Sequence, residues 1–105
     1  MRRITSSHSF SSERLLQDPA LDEALRALAH PDRRLFVRAC LNQESAAGEL
    51  AVLSDLSAAT VSEHLKVVRK ARLLILSRGG RFWRYRTDEI VLAAVAKDIA
   101  RIGAA

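Results

Sequence analysis

Apolar residues recur at three- and four-residue spacing through Leu15, Leu16, Leu21, Ala24, Leu25 and Leu28, the stripe of an amphipathic helix that Pro19 splits or caps. A first helix is predicted over about 19–29. Pro31 suits the first position of a second helix, where a missing amide hydrogen costs nothing, and Leu35, Phe36, Ala39 and Cys40 give that helix its buried face, ending near Gln43. A short third helix over 46–53, with Leu50 and Leu53 inward, precedes Ser54-Asp55-Leu56, which is long enough only for a tight turn. Ser57 is a good N-cap for a fourth helix over about 58–71, whose apolar face is Val61, Leu65 and Val68.

Past residue 71 the period changes. Leu74 to Ser77 read as a strand, Arg78-Gly79-Gly80-Arg81 as a hairpin turn needing positive φ, and Phe82 to Arg86 as the returning strand. Thr87 can cap a last helix over about 88–102, with Asp88 and Glu89 at its positive end and Val91, Val95, Ile99 and Ile102 as a long apolar seam. No internal repeat is found. The fold class predicted is mainly α with a small β-hairpin: a winged helix-turn-helix of about five helices plus a two-stranded wing.

A chain of 105 residues is one domain, small enough that a second subunit sharing its core is favoured. Residues 1–14, Ser-rich, basic and resembling a transit peptide in composition, are read instead as a flexible N-terminal arm, and 15–105 as the folded domain. No stretch approaches the roughly 18 apolar residues of a membrane span, and the arm lacks the apolar centre of a secretory signal. The single cysteine, Cys40, excludes an internal disulfide framework and any multi-thiolate zinc site. A cytoplasmic protein is expected.

The net charge of +5 points toward an anionic partner, and its placement is more informative than its size. Lys66, Arg69, Lys70, Arg72, Arg78, Arg81, Arg84 and Arg86 put eight cations into 21 residues with no acid among them; the remaining 84 residues hold nine cations against all twelve acids. Cations placed for solubility alone would be interspersed with acids. The concentration falls on the end of one helix and the hairpin beside it, as in a surface that neutralises phosphates. Phe82, Trp83 and Tyr85 interleave with the arginines, but strand alternation sends some of those rings onto the domain.

A short helix, a tight turn, a capped second helix and a basic hairpin make a winged helix-turn-helix. The runs Leu28-Ala29-His30-Pro31-Asp32-Arg33-Arg34-Leu35, Glu49-Leu50-Ala51, Leu56-Ser57-Ala58-Ala59-Thr60-Val61-Ser62-Glu63-His64-Leu65-Lys66-Val67-Val68-Arg69-Lys70-Ala71 and Gly80-Arg81-Phe82-Trp83-Arg84-Tyr85-Arg86 resemble the ArsR (ArsR/SmtB) family of bacterial transcriptional repressors over roughly 20–100. The Ser-x-x-x-Val-Ser-x-His-Leu-Lys run is the most specific part. The resemblance implies a homodimer on double-stranded DNA carrying an imperfect inverted repeat, with two recognition helices in the major groove and two wings on flanking DNA. Carried over by position, Ser57, Ala59, Thr60, Ser62, Glu63, His64 and Lys66 lie on or near the groove-facing surface, with Arg69 in the basic cluster beside them, and Arg78, Arg81 and Arg84 belong to the wing. First and last helices usually supply the dimer interface in this family, which places Leu21, Leu25, Val91, Val95, Ile99 and Ile102 there.

Each of these residues has a blander role to set beside that one. Ser57 can be a helix cap alone, Glu63 can pair with Lys66 or Lys70, and His64, beside the apolar row, can be a half-buried histidine bonded to backbone or phosphate. Arg72, where the family usually has Gly, is expected to carry a left-handed helix cap, and Asp55 stands in a turn where Gly is usual. The third-helix thiol pair and the last-helix Asp and His pairs that bind metals in many members are missing. His8, His30, Cys40 and His64 are scattered along the chain, so no metal site and no cofactor is expected. A small organic effector, or none, remains; Cys40 reads as a small buried core residue, and His30 as a weak helix cap. No Gly-rich phosphate loop, carboxylate pair or Ser-His-Asp arrangement suggests an enzyme. The alternative function is a winged-helix module for protein or RNA contact; membrane attachment is disfavoured because no wide apolar helix face accompanies the cations.

Overall fold

Prolines begin the first two described helices, each where the absent N–H forfeits no helical bond. The computed structural model describes residues 19–104; the expected arm over 1–14, with Leu15 and Leu16, lies outside them. Helix α1 is Pro19–Leu28 and α2 is Pro31–Ala39. His30 caps α2 as expected, its Nδ1 accepting from the Asp32 amide at 3.4 Å. Helix α2 stops at Ala39 rather than near Gln43. Cys40 is its C-cap, and the Cys40 carbonyl accepts from the Thr87 amide at 2.9 Å, so the chain leaves the helix to meet the sheet.

That exit creates an element too short for an alternation pattern to reveal, β1 (Ser45–Ala46). With β2 (Leu74–Gly79) and β3 (Phe82–Thr87) it forms a three-stranded antiparallel sheet in the order β1-β3-β2, Ser45 opposite Tyr85 and Ala46 opposite Arg84. The wing is therefore anchored by a third strand. Its turn is also tighter than expected: Gly79 pairs with Phe82, leaving only Gly80 and Arg81 in the loop. Only Gly80, at φ +62°, is left-handed, the requirement of a II′ hairpin.

Helix α3 (Ala47–Ser54) starts after Ala46, which has no side-chain oxygen; Glu49 caps it instead, Oε1 accepting from the Ala46 amide at 2.7 Å. Leu50 is buried, but Leu53, expected inward, is 53% exposed. The inward stripe is Ala47, Leu50, Ala51 and Ser54, and Leu53 lies more than a quarter-turn from its centre. Asp55, at φ 60°, makes the turn. Helix α4 (Ala58–Lys70) follows, capped by Ser57, whose Oγ accepts from the Thr60 amide at 3.1 Å. Its end is a Schellman motif: Arg72 is left-handed at φ 68°, its amide bonds Arg69 O at 2.9 Å, and Leu73 N bonds Val68 O at 3.2 Å. Val68 and Leu73 are both fully buried, the apolar contact that accompanies this motif.

Thr87 does not cap the last helix. It is fully buried, and its hydroxyl donates to Val37 O at 2.6 Å, tying β3 to α2. Asp88 is the cap of α5 (Glu89–Gly103), its Oδ1 accepting from Ile90 N at 3.1 Å and Val91 N at 3.2 Å. The core joins Leu21, Ala24 and Ala27 of α1 to Phe36 and Val37 of α2, Leu50 of α3, Val61, Leu65 and Val68 of α4, and Leu74 and Tyr85 of the sheet. Leu21 and Val95, expected at a dimer interface, are buried inside the protomer, and Val91 is half-buried; Leu25, Ile99 and Ile102 stay exposed. Helix α5 packs broadly against no other element among the described residues. None of these helices is long and apolar enough to cross a membrane.

Candidate nucleic-acid interface

The core fixes which face of α4 is free. With Val61, Leu65 and Val68 buried, helical geometry turns Ala59, Thr60, Ser62, Glu63, Lys66 and Arg69 outward, and all six are exposed, as is Ser57. Packed α3 and the Asp55 turn hold this helix at the surface. Ser57 does more than cap: its hydroxyl also donates to Thr60 Oγ1 at 2.9 Å, so the two hydroxyls form one short polar unit at the helix start. The Ser62 hydroxyl forms no hydrogen bond among the described residues. Glu63 pairs with Lys66 at 3.3 Å, both about 70% exposed, a contact too solvated to contribute much to stability.

Beside α4 the wing presents its cations. Arg78 and Trp83 are cross-strand partners, and the Arg78 guanidinium lies over the indole, 4.4 Å from the ring centroid. Tyr85 is buried, whereas Phe82 and Trp83 are 66% and 48% exposed, so one of the three rings joins the core. Ser62, Leu65, Lys66 and Arg69 of α4 face Arg78, Trp83 and Tyr85 of the sheet across an open groove of about 230 Å³. Arg84 pairs with Glu49 at 3.6 Å, tying the wing to α3, and Lys70 pairs with Glu23 at 3.9 Å. Arg69, Arg72, Arg78, Arg81 and Arg86 make no salt bridge among the described residues, and all are exposed.

His64 is half-buried, and its partner is neither backbone nor phosphate: Arg33 of α2 donates from Nε to His64 Nδ1 at 3.1 Å. Arg33 also donates to Arg26 O at 3.3 Å. Burial, then the neighbouring His30 and the Arg33 charge, push the His64 pKa below its ordinary value, with Asp32 opposing them weakly. Arg33 lines a second groove with Ala59, Thr60, Glu63, His64 and Val67. Arg33 and His30 were not legible as neighbours of α4, because no local spacing reports a contact between helices distant in sequence. Cys40 is fully buried, and burial raises its thiol pKa, an effect outweighing the Ser45 hydrogen bond that lowers it.

A helix held outward after a tight turn, flanked by a basic hairpin, defines a DNA-binding winged helix-turn-helix of the transcription-regulator class. The chain is 39% identical over 80 residues, 76% of its length and 75% of the other protein's, to the HTH-type transcriptional regulator Rv2034 of Mycobacterium tuberculosis. An ArsR-like transcriptional regulator from Rhodococcus sp. RHA1 superposes with a TM-score of 0.73 at 26% identity, covering 82% of this chain and 81% of that one. The homodimeric winged helix-turn-helix DNA-binding domain Mb0332 of Mycobacterium bovis shares the fold, with a TM-score of 0.68, 21% identity, and coverage of 98% and 90%. No family model matches the sequence. The protein belongs to the ArsR (ArsR/SmtB) family of transcriptional regulators, a DNA-binding class and not an enzymatic one.

Proposed function

We propose that residues 15–105 act as the DNA-binding and dimerisation unit of a cytoplasmic repressor that binds an imperfect inverted repeat near its own or a neighbouring promoter. Each protomer sets α4 in the major groove and the hairpin on flanking DNA. The observation that carries this reading is the set of exposed cations from the end of α4 into the wing, a stretch of chain with no acid of its own, five of them without a carboxylate partner among the described residues. In this reading Ser57, Thr60 and Ser62 meet phosphates or base edges, Glu63 accepts from a cytosine amino group once it leaves Lys66, and Lys66, Arg69, Arg78, Arg81 and Arg84 meet phosphates.

Two features support the dimer. Leu25, Ile99 and Ile102 remain exposed on α1 and α5, and α5 has no broad packing partner among the described residues. Asp98 on the same helix is buried with neither carboxylate oxygen hydrogen-bonded among the described residues, a costly state that a partner's donor would relieve. A small organic effector would have to use the cleft between protomers or one of the α4 grooves, where it would compete with DNA directly.

The test is binding to the protein's own upstream intergenic DNA against a scrambled duplex at two salt concentrations, with and without chelator. Selective, salt-sensitive binding supports the reading. Equal weak binding to both duplexes would instead favour a protein- or RNA-contact role.

A further inference from the structure

The fold brings His64, distant in the chain, against His30 and Asp32, so that two imidazoles and a carboxylate meet. His30 precedes α2, Asp32 lies in its first turn, and His64 projects from the middle of α4; one ligand atom from each lies within 4.8 Å of the other two. The His30 and His64 rings are 4.4 Å apart between centroids and tilted by 52°, and His30 Nδ1 is 4.0 Å from Asp32 Oδ2. All three residues are half-buried, so packing holds them in place while solvent still reaches them. In a tetrahedral site with metal–ligand bonds of about 2.0–2.1 Å the ligand atoms sit about 3.4 Å apart, a contraction that rotamer adjustments of these side chains can supply.

We infer that His30, Asp32 and His64 form a binding site for a divalent transition metal of the zinc type, linking the start of α2 to the recognition helix. Two imidazoles and one carboxylate suit zinc, cobalt or nickel, and leave a position for water; calcium and magnesium prefer all-oxygen sets. This proposal departs from the expectation of no metal drawn from scattered histidines, and it uses neither the third nor the last helix.

Arg33 makes the site a switch. Its Nε–H points at the lone pair of His64 Nδ1, so a metal on that nitrogen displaces the guanidinium. A metal on Nε2 has the same effect, because the neutral ring then carries its proton on Nδ1 and no longer accepts. Either way, metal uptake exchanges one tie between α2 and α4 for another and frees a cation beside the groove that Thr60 and Glu63 line. The effect on DNA affinity rests on α4 being the recognition helix; the metal site does not.

The experiment titrates chelator-treated full-length protein with Zn²⁺ by calorimetry and with Co²⁺ by visible absorption. One ion per chain is expected. His64→Gln keeps an acceptor for Arg33, and His30→Ser keeps a capping oxygen, so both should fold, as circular dichroism would verify; each should weaken metal binding more than about 100-fold, beyond the loss of an outer-shell partner. Arg33→Ala should tighten it, a gain that a merely structural role would not give. No ion bound by the wild type, or equal binding by both histidine variants, overturns the site. If the ion binds through these residues and DNA affinity does not move, the coupling is overturned and the site stands. If metal binding is intact but no duplex is bound selectively with or without Zn²⁺, it is the DNA reading of α4 that fails.

Discussion

Truncating Arg81 to alanine tests whether the wing acts through phosphates. Arg81 is the second residue of the two-residue turn between β2 and β3, exposed, without a salt bridge among the described residues, and outside the left-handed region, so alanine fits its backbone. Fold stability should move by less than about 0.5 kcal/mol. Each phosphate neutralised contributes about 0.9 to the slope of log affinity against log salt, and a dimer carries two wings, so the slope should shrink by about 1.8. Between about 50 and about 200 mM salt, a fourfold rise, that difference changes the ratio of wild-type to variant affinity by about twelvefold, the variant losing more at low salt. Fluorescence anisotropy over a salt series, on an operator duplex and a scrambled one, reads both slope and selectivity. The loss should be the same factor on either sequence. An unchanged slope, or a loss confined to the operator, would refute a phosphate contact at the wing tip.

Other expectations divide the surface from the core. Ser62→Ala should leave the melting temperature unchanged and relax discrimination at one base pair by about 1 kcal/mol, read by competition among single-substituted duplexes; uniform loss on all of them would count against α4 as the reader. Thr87→Val strands the Val37 carbonyl in the core and should cost about 1–3 kcal/mol in chemical denaturation without altering sequence preference. Ile99→Glu places a charge on the exposed α5 face, so sedimentation should show a shift to monomer and DNA affinity should fall with it; a variant that stays dimeric would move the interface elsewhere. Burial raises the Cys40 pKa, so less thiolate is present near neutral pH and reactivity should grow only as pH rises toward that raised value. Alkylation should therefore be slow in the native protein and fast in denaturant, and mild peroxide should leave DNA binding of the wild type and of Cys40→Ser alike.

Helices α1, α2 and α4 were legible because their apolar residues keep a helical period and their starts carry proline or a capping serine. The hairpin was legible through its change of period and its glycines. Errors fall where long-range bonds override local pattern: the Cys40 carbonyl is taken by Thr87 and ends α2 early, and Thr87 turns inward to Val37, leaving Asp88 to cap α5. Strand β1 has two residues, too few to show alternation. Leu53 shows a related limit, since in so short and apolar a helix the period does not say which leucine faces in.

Exposure along α4 follows from the positions of Val61, Leu65 and Val68, so the outward set could be read from the chain before any coordinates. What the chain concealed is how that helix is held from the side. Arg33 and His30 belong to α2 and sit in a run whose local signal is only a capped helix start, yet both meet His64 across the helix pair. Two ties thus converge on one imidazole, a guanidinium already in place and a ligand set able to replace it. A helix fixed by apolar packing alone would offer an effector no such handle. Here the polar tie lies between the exposed face of α4 and the scaffold, where a change of partner at His64 alters the surroundings of Thr60 and Glu63.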